Sequence, residues 1–269
     1  MRILVTGGAG GLGTGISEVF NVLSEELYGP DHDNTLRRMD IRPKSQVRLQ
    51  PGEEYFRANI MDEQLDWGPI LDDVDVVIHA LMAPGPPQET WHERCIDLHG
   101  PSTEVLCDQM VKHDVGTIVV DTSLNRYENP AYNDKKFLKG RRMTERFKRN
   151  ATFGYGLSKV HEEEVAERYA EKHGMKVGIW CGLSIRNQKQ WTEIMKKGIT
   201  NWENVHYHDA AMHNLLIAFD PLKKIWRNTN VQVFHSAQVR PDSLVDPGKS
   251  VRMLGYKNLY NNQPKEPAS

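Results

Sequence analysis

Ile3-Leu4-Val5-Thr6-Gly7-Gly8-Ala9-Gly10-Gly11-Leu12-Gly13 stands near the start of the chain and decides how the rest is read. Ile3, Leu4 and Val5 form a short continuous apolar run, as a strand buried on both faces would. Beyond the glycines, Leu12, Ile16, Val19, Phe20, Leu23 and Leu27 recur mostly at spacings of three and four, the period of a helix with one apolar face. Gly7, Gly10 and Gly13 stand three apart where the two meet. One glycine permits a tight turn, another lets the backbone approach a pyrophosphate, and a third lets the helix pack on the strand. The start of the helix then points unpaired N–H groups at the phosphates. Glycines also make ordinary turns, so the context carries the argument: this run follows a strand and opens a helix. It predicts a dinucleotide site built on Gly7, Gly10, Gly11, Leu12 and Gly13.

Outward from this motif, strand and helix patterns alternate. Apolar or mixed runs at residues 35–40, 55–58, 74–79, 117–121 and 176–180 read as strands. Residues 91–113 and 155–173 read as helices, the second with Val160, Val165, Ala166, Tyr169 and Ala170 inward and its glutamates outward. Strands alternating with helices predict an α/β protein with a parallel sheet covered on both faces, and right-handed crossovers make it a Rossmann-type, doubly wound sheet. The alternation weakens after Leu183. Residues 1–183 are therefore the expected dinucleotide-binding domain. Residues 184–269 are an expected small C-terminal substrate lobe, with returning elements and a loose polar tail from residue 261.

The bulk properties exclude several classes. The chain has 269 residues, 39% hydrophobic and 26% charged, with a formal net charge of −2. This balance gives no reason to expect nucleic acid or an anionic membrane as partner. No apolar run approaches the ~18 residues that cross a bilayer. The apolar run before the glycines is too short for a signal peptide. Cys95, Cys107 and Cys181 lack metal or redox spacing and read as reduced, buried thiols, so a cytoplasmic home is expected.

Asp40 closes the second strand. A carboxylate there accepts hydrogen bonds from both adenosine ribose hydroxyls and repels a 2′-phosphate, which favours NAD over NADP. Arg38 and Arg42 flank it and are of the type that grips a phosphate. Ile41 follows Asp40, Asn59 and Ile60 follow the third strand, and Ala80 and Leu81 follow the fourth; all are cofactor-contact candidates.

Tyr155 and Lys159 stand four apart on one helix and so share a face. A free phenol has a pKa near ~10, too high for a base at neutral pH. A neighbouring ammonium stabilises the phenolate and lowers that value. The phenol then takes the proton of a substrate hydroxyl, or returns it to a carbonyl, while Lys159 also holds the nicotinamide ribose. Thr122 and Ser123 end the fifth strand, at the sheet edge where open α/β sheets gather their sites. Ser123 is placed to hydrogen-bond the reacting oxygen.

With these residues in view, the chain resembles the extended short-chain dehydrogenases/reductases, the NAD-dependent epimerase/dehydratase family. The resemblance rests on the glycine loop, Asp40, Val76-Val77-Ile78-His79, Thr122-Ser123, Tyr155 to Lys159 and a late Leu254-Gly255-Tyr256. It implies a bound NAD(P), a Ser123–Tyr155–Lys159 set and a homo-oligomer. Within the family the chain is most similar to uronate dehydrogenases and related sugar dehydrogenases. They share its short length, the phrase Asp40-Ile41-Arg42-Pro43 and an asparagine soon after the serine. That likeness implies oxidation of the C1 hydroxyl of a free sugar acid or aldose, with NAD as acceptor. Substrate-contact candidates are Ser123, Asn125, Ser184 and Arg186. The chain departs from uronate dehydrogenases at Leu124-Asn125, where they carry Asn-His, and at Trp180-Cys181-Gly182, which lacks the family's arginine. A nucleotide-sugar epimerase or dehydratase that retains its NAD is the rival enzyme reading; it usually needs a larger C-terminal lobe. A non-catalytic dinucleotide sensor is the rival from another class, and it has no need to keep Ser123, Tyr155 and Lys159 together.

Two further features stand apart from this set. Lys135, Lys136, Lys139, Arg141, Arg142, Arg146, Lys148 and Arg149 crowd one segment, opposed by Glu145. It reads either as an anion clamp or as a solvated loop or oligomer contact. His206, His208, Asp209 and His213 cluster in sequence, but the proposed chemistry needs no metal and their reading is structural.

Overall fold

The computed structural model of the chain describes residues 1–83, 88–128, 141–197, 204–237 and 243–260. In chain order its strands are β1 (Arg2–Thr6), β2 (Thr35–Asp40), β3 (Glu54–Arg57), β4 (Val76–His79), β5 (Thr117–Ser123), β6 (Lys176–Gly182), β7 (Ile185–Arg186), β8 (Val205–His206) and β9 (Val231–His235). Seven of them form one sheet in the order β3-β2-β1-β4-β5-β6-β9, with every neighbouring pair parallel. This is the expected Rossmann-type doubly wound sheet. β7 and β8 pair separately.

The central strands β1, β4, β5 and β6 bury both faces, which is why their apolar runs are continuous rather than alternating. On one face Leu4, Val77, Ile118, Val120, Val177 and Ile179 pack with residues of α3 (Trp91–Lys112) and α4 (Gly154–His173). On the other, Ile3, Val5, Val76, Ile78, Val119 and Trp180 pack with α1 (Gly11–Tyr28) and α6 (Tyr207–Phe219). The polar second strand has a specific reason. Arg37 and Arg38 are buried, and their guanidinium groups bond to Glu54, Ile70 O and Asp72 O, and to Gly8 O, Ser17 and Glu53, respectively.

From β1 the chain first builds outward through β2 to β3. It then resumes at β4 on the other side of β1, with His79 opposite Thr6. The connections leaving β1 and β4 diverge, so a crevice opens at their carboxyl ends, where open α/β sheets bind ligands.

Two features differ from the sequence reading. The glutamates of α4 do not all face outward: Glu162 and Glu163 are fully buried. Three and four residues after Lys159, they share its inward face and pair with cations there. Also, β9 lies beyond the strand runs read from the sequence, yet it adds to the main sheet along β6.

One buried histidine makes a stability test. His213 stacks on Tyr256 at 4.3 Å, and neither of its ring nitrogens has a hydrogen-bond partner among the described residues. Burial pushes its pKa down from 6.5 to about 3. The ring's contribution is therefore present above pH ~6.5 and lost as pH falls towards ~3. His213→Phe keeps the stack and removes the titration. Its stability relative to wild type should improve by roughly 3 kcal/mol between about pH 8 and about pH 4, read from urea midpoints. An unchanged difference across that range would show that the ring does not titrate on unfolding.

Candidate active site

A cavity of about 520 Å³ lies at the carboxyl ends of β1, β2 and β4. Of the residues predicted to hold a cofactor, Gly7, Gly10, Gly11, Asp40, Ile41, Asn59, Ile60, Ala80 and Leu81 line it. Leu12 and Gly13 do not, being buried in the first turn of α1, and neither do Tyr155 and Lys159, which were also predicted to hold the cofactor. Met39, Ala58, Met82, Ala83 and Leu98 also line the cavity, and no motif in the sequence singled them out. Their signal was position: four lie beside a strand end already implicated.

The glycine loop is shaped as its spacing predicts. Gly7 has φ +68, and a Cβ there would stand 2.5 Å from Ala80 O. A Cβ on Gly13 would stand 2.6 Å from Gly8 Cα. These two positions let the first turn approach β4 and let α1 seat on the loop. Gly11, in contrast, faces open space. The cradle, with its backbone N–H groups at a helix start and a carboxylate at its rim, fits a dinucleotide.

Asp40 is fixed by the loop it serves. Its carboxylate accepts from Ala9 N at 2.9 Å and Arg42 N at 3.1 Å. Arg38 is no phosphate ligand: it is 1% exposed, and its guanidinium donates to Gly8 O at 2.6 and 2.8 Å. Arg42 lines the cavity and donates to Ala9 O at 2.6 Å.

Ser123, Tyr155 and Lys159 come together at the end of β5. The Ser123 hydroxyl donates to Gly182 O at 3.3 Å and lies close enough to the Tyr155 phenol to favour its phenolate, and Lys159 Nζ lies 5.9 Å from the tyrosine ring centroid. Lys159 is fully buried and donates to Asp121 O at 2.9 Å and Glu162 Oε2 at 2.8 Å. Trp91 stacks on Tyr155 at 5.1 Å, and His92 Nδ1 accepts from Tyr155 N. The sequence predicts a phenol made acidic by its neighbour. In the chain alone, burial outweighs the attraction of Lys159 and pushes Tyr155 up to about 12. Burial opposes the charge on Lys159, but Glu162, Tyr155 and Asp121 more than offset this and raise its pKa. Burial also pushes Asp121 up to about 7 against the pull of Lys159.

The predicted substrate residues are less tightly gathered. Asn125 N donates to Ser123 Oγ at 3.1 Å. Ser184, at φ +44, passes its carbonyl to Val205 N, and Arg186 donates to Asn204 Oδ1 at 2.8 Å. Ser184 and Arg186 do not line the cofactor cavity. In the basic segment, Lys135, Lys136 and Lys139 lie outside the described residues. Arg149 is paired with Glu163, Glu164 and Glu167. His206 caps α6, His208 bonds Glu18, and Asp209 accepts from the Leu259 and Tyr260 N–H groups.

The family model of the NAD dependent epimerase/dehydratase family matches residues 3–182. A putative UDP-glucose 4-epimerase of Methanocaldococcus jannaschii is 27% identical over 191 residues, 70% of this chain; the chain spans 57% of that relative's length. Among solved structures, the NAD complex of UDP-glucuronic acid 4-epimerase from Bacillus cereus superposes with a TM-score of 0.71 at 15% identity, covering 97% of this chain and 95% of that one. A mutated uronate dehydrogenase gives a TM-score of 0.66 at 19% identity, covering 97% and 82%. These two likenesses are of fold.

Proposed function

The chain belongs to the NAD dependent epimerase/dehydratase family, and from that premise we propose that it oxidises a hydroxyl, at C1, of a free sugar acid or aldose with NAD. The observation that carries this reading is the meeting of Ser123, the Tyr155 phenol and a buried Lys159 at the end of the strand next to the cofactor crevice. NAD⁺, when bound, accepts hydride from the substrate carbon. Tyr155 takes the hydroxyl proton on its phenolate oxygen. Ser123 bonds the same substrate oxygen and holds it in line. Lys159 stabilises the phenolate. An ammonium has three N–H donors, and with two bonded to Asp121 O and Glu162 one remains for the nicotinamide ribose. Asn125 contacts the sugar in this reading, as do Ser184 and Arg186 from a lobe formed by residues after Leu183. A cytoplasmic homo-oligomer is part of the same proposal. Among the described residues no helix is long and apolar enough to cross a membrane.

The second reading, a nucleotide-sugar epimerase that keeps its NAD, is favoured by the relatives named as epimerases. Free uronates, aldoses and UDP-sugars incubated with NAD⁺ separate the two. Net formation of reduced nicotinamide from a free sugar supports the dehydrogenase. Isomerised UDP-sugar without net reduction supports the epimerase and contradicts our reading.

Asp40 is proposed to set cofactor choice. Asp40→Asn removes the charge that repels a 2′-phosphate, so the preference for NAD over NADP should fall on the order of tenfold, for a like charge worth ~1 to 2 kcal/mol. Steady-state comparison of the two cofactors measures it; an unchanged ratio would relieve Asp40 of that role.

A further inference from the structure

The helix that carries Tyr155 and Lys159 buries two carboxylates that the proposed proton transfer does not use. Glu163 is balanced by Arg126 at 2.9 Å and Arg149 at 3.2 Å. Among the described residues the one cation paired with Glu162 is Lys159, at 2.8 Å, and both side chains are fully buried. Its second oxygen, Oε1, stands 3.7 Å from His79 Nε2, and neither atom has a hydrogen-bond partner among the described residues. His79 Nδ1 meets Thr6 Oγ1 at 2.6 Å, and Thr6 lines the cofactor cavity. The other titratable groups acting on this cluster are Asp121 of β5, His99 and Cys95 of α3, and Glu163 on the same helix.

Building on the function proposed above, we propose that Glu162 is a positioning residue of the tyrosine–lysine pair: it anchors Lys159 from behind and cancels part of the ammonium charge felt at Tyr155. A carboxylate 2.8 Å from the ammonium turns a single charge into a dipole, whose field falls off faster with distance. The phenolate therefore gains less from Lys159 than the bare spacing of Tyr155 and Lys159 suggests. Burial pushes Glu162 well above the ordinary carboxylate range, so it sheds this screening whenever it takes up a proton. His79, held neutral by burial, adds no compensating charge and limits where Glu162 can move.

The test is Glu162→Gln in the full chain, with isotope-labelled tyrosine followed by NMR as pH is raised, with and without NAD⁺. Tyr155→Phe assigns the resonance. Glutamine keeps an acceptor for Lys159 and removes the negative charge, so Tyr155 should ionise about one pH unit lower than in wild type. The rising limb of kcat/KM should move in the same direction. A folded variant whose Tyr155 titrates as in wild type overturns the proposal. Glu162→Met is the second neutral variant and carries the same expectation. If neither variant folds, Glu162 serves the fold and the proposal fails. The titration needs no substrate, so a chain that turns over no sugar would undo the proposed function and leave this result to stand or fall alone.

Discussion

Tyr155→Phe should lower turnover by about 10³-fold while leaving the affinity for NAD⁺ within roughly twofold, a loss in the range that general acid–base groups contribute. The substitution is narrow. The ring stays stacked on Trp91 at 5.1 Å and edge-on to His99 at 5.9 Å, and the cofactor cavity is lined by other residues. Only the phenol hydroxyl beside Ser123 is lost. Turnover is measured on the best sugar substrate and affinity by quenching of tryptophan fluorescence. Unchanged turnover would remove Tyr155 from the chemistry. Lost NAD⁺ affinity would show instead that the phenol shapes the cofactor site.

The second large effect is expected at the glycine loop. Gly7→Ala meets two obstacles: a left-handed φ of +68 and a Cβ 2.5 Å from Ala80 O. The conformation alone costs about 1 to 2 kcal/mol, and the clash is with backbone, so the turn or the segment after β4 must shift. Those residues line the cavity. NAD⁺ binding should weaken by at least ~10-fold, with a melting temperature lower by roughly 2–4 °C for each kcal/mol lost. Gly11→Ala is the matched control. Its Cβ enters open space within the cavity, so it should weaken binding with little change in melting temperature. Equal melting losses in both variants would contradict this account of the loop.

The fold was legible because its signals are local. Short buried strands leave apolar runs, and the first βα turn leaves its glycines, so β1, α1 and the crevice could be placed from Ile3 to Gly13. Ser123, Tyr155 and Lys159 were legible for a similar reason: one ends a strand and the other two share a helix face. What escaped depends on contacts distant in sequence. Glu162 and Glu163 look like a solvated run beside Glu164, yet the spacing that joins Tyr155 to Lys159 also turns these two inward. Lys159 on the same helix balances Glu162, whereas the cations that make the burial of Glu163 tolerable, Arg126 and Arg149, come from elsewhere in the chain. Arg38 reads as a phosphate ligand beside Asp40, but its bonds to Gly8 O and Glu53 hold the loop instead. The net rise in the pKa of Tyr155 was not legible either, because it reflects burial that only the packed site imposes.

A crystal of the full chain soaked with NAD⁺ locates the nicotinamide relative to Tyr155. The expected result is pyrophosphate on the loop from Gly7 to Gly11, adenosine ribose at Asp40, and the nicotinamide ring against Tyr155 with its ribose at Lys159. A dinucleotide bound with its nicotinamide away from Tyr155, or no dinucleotide in the crevice at all, would contradict it.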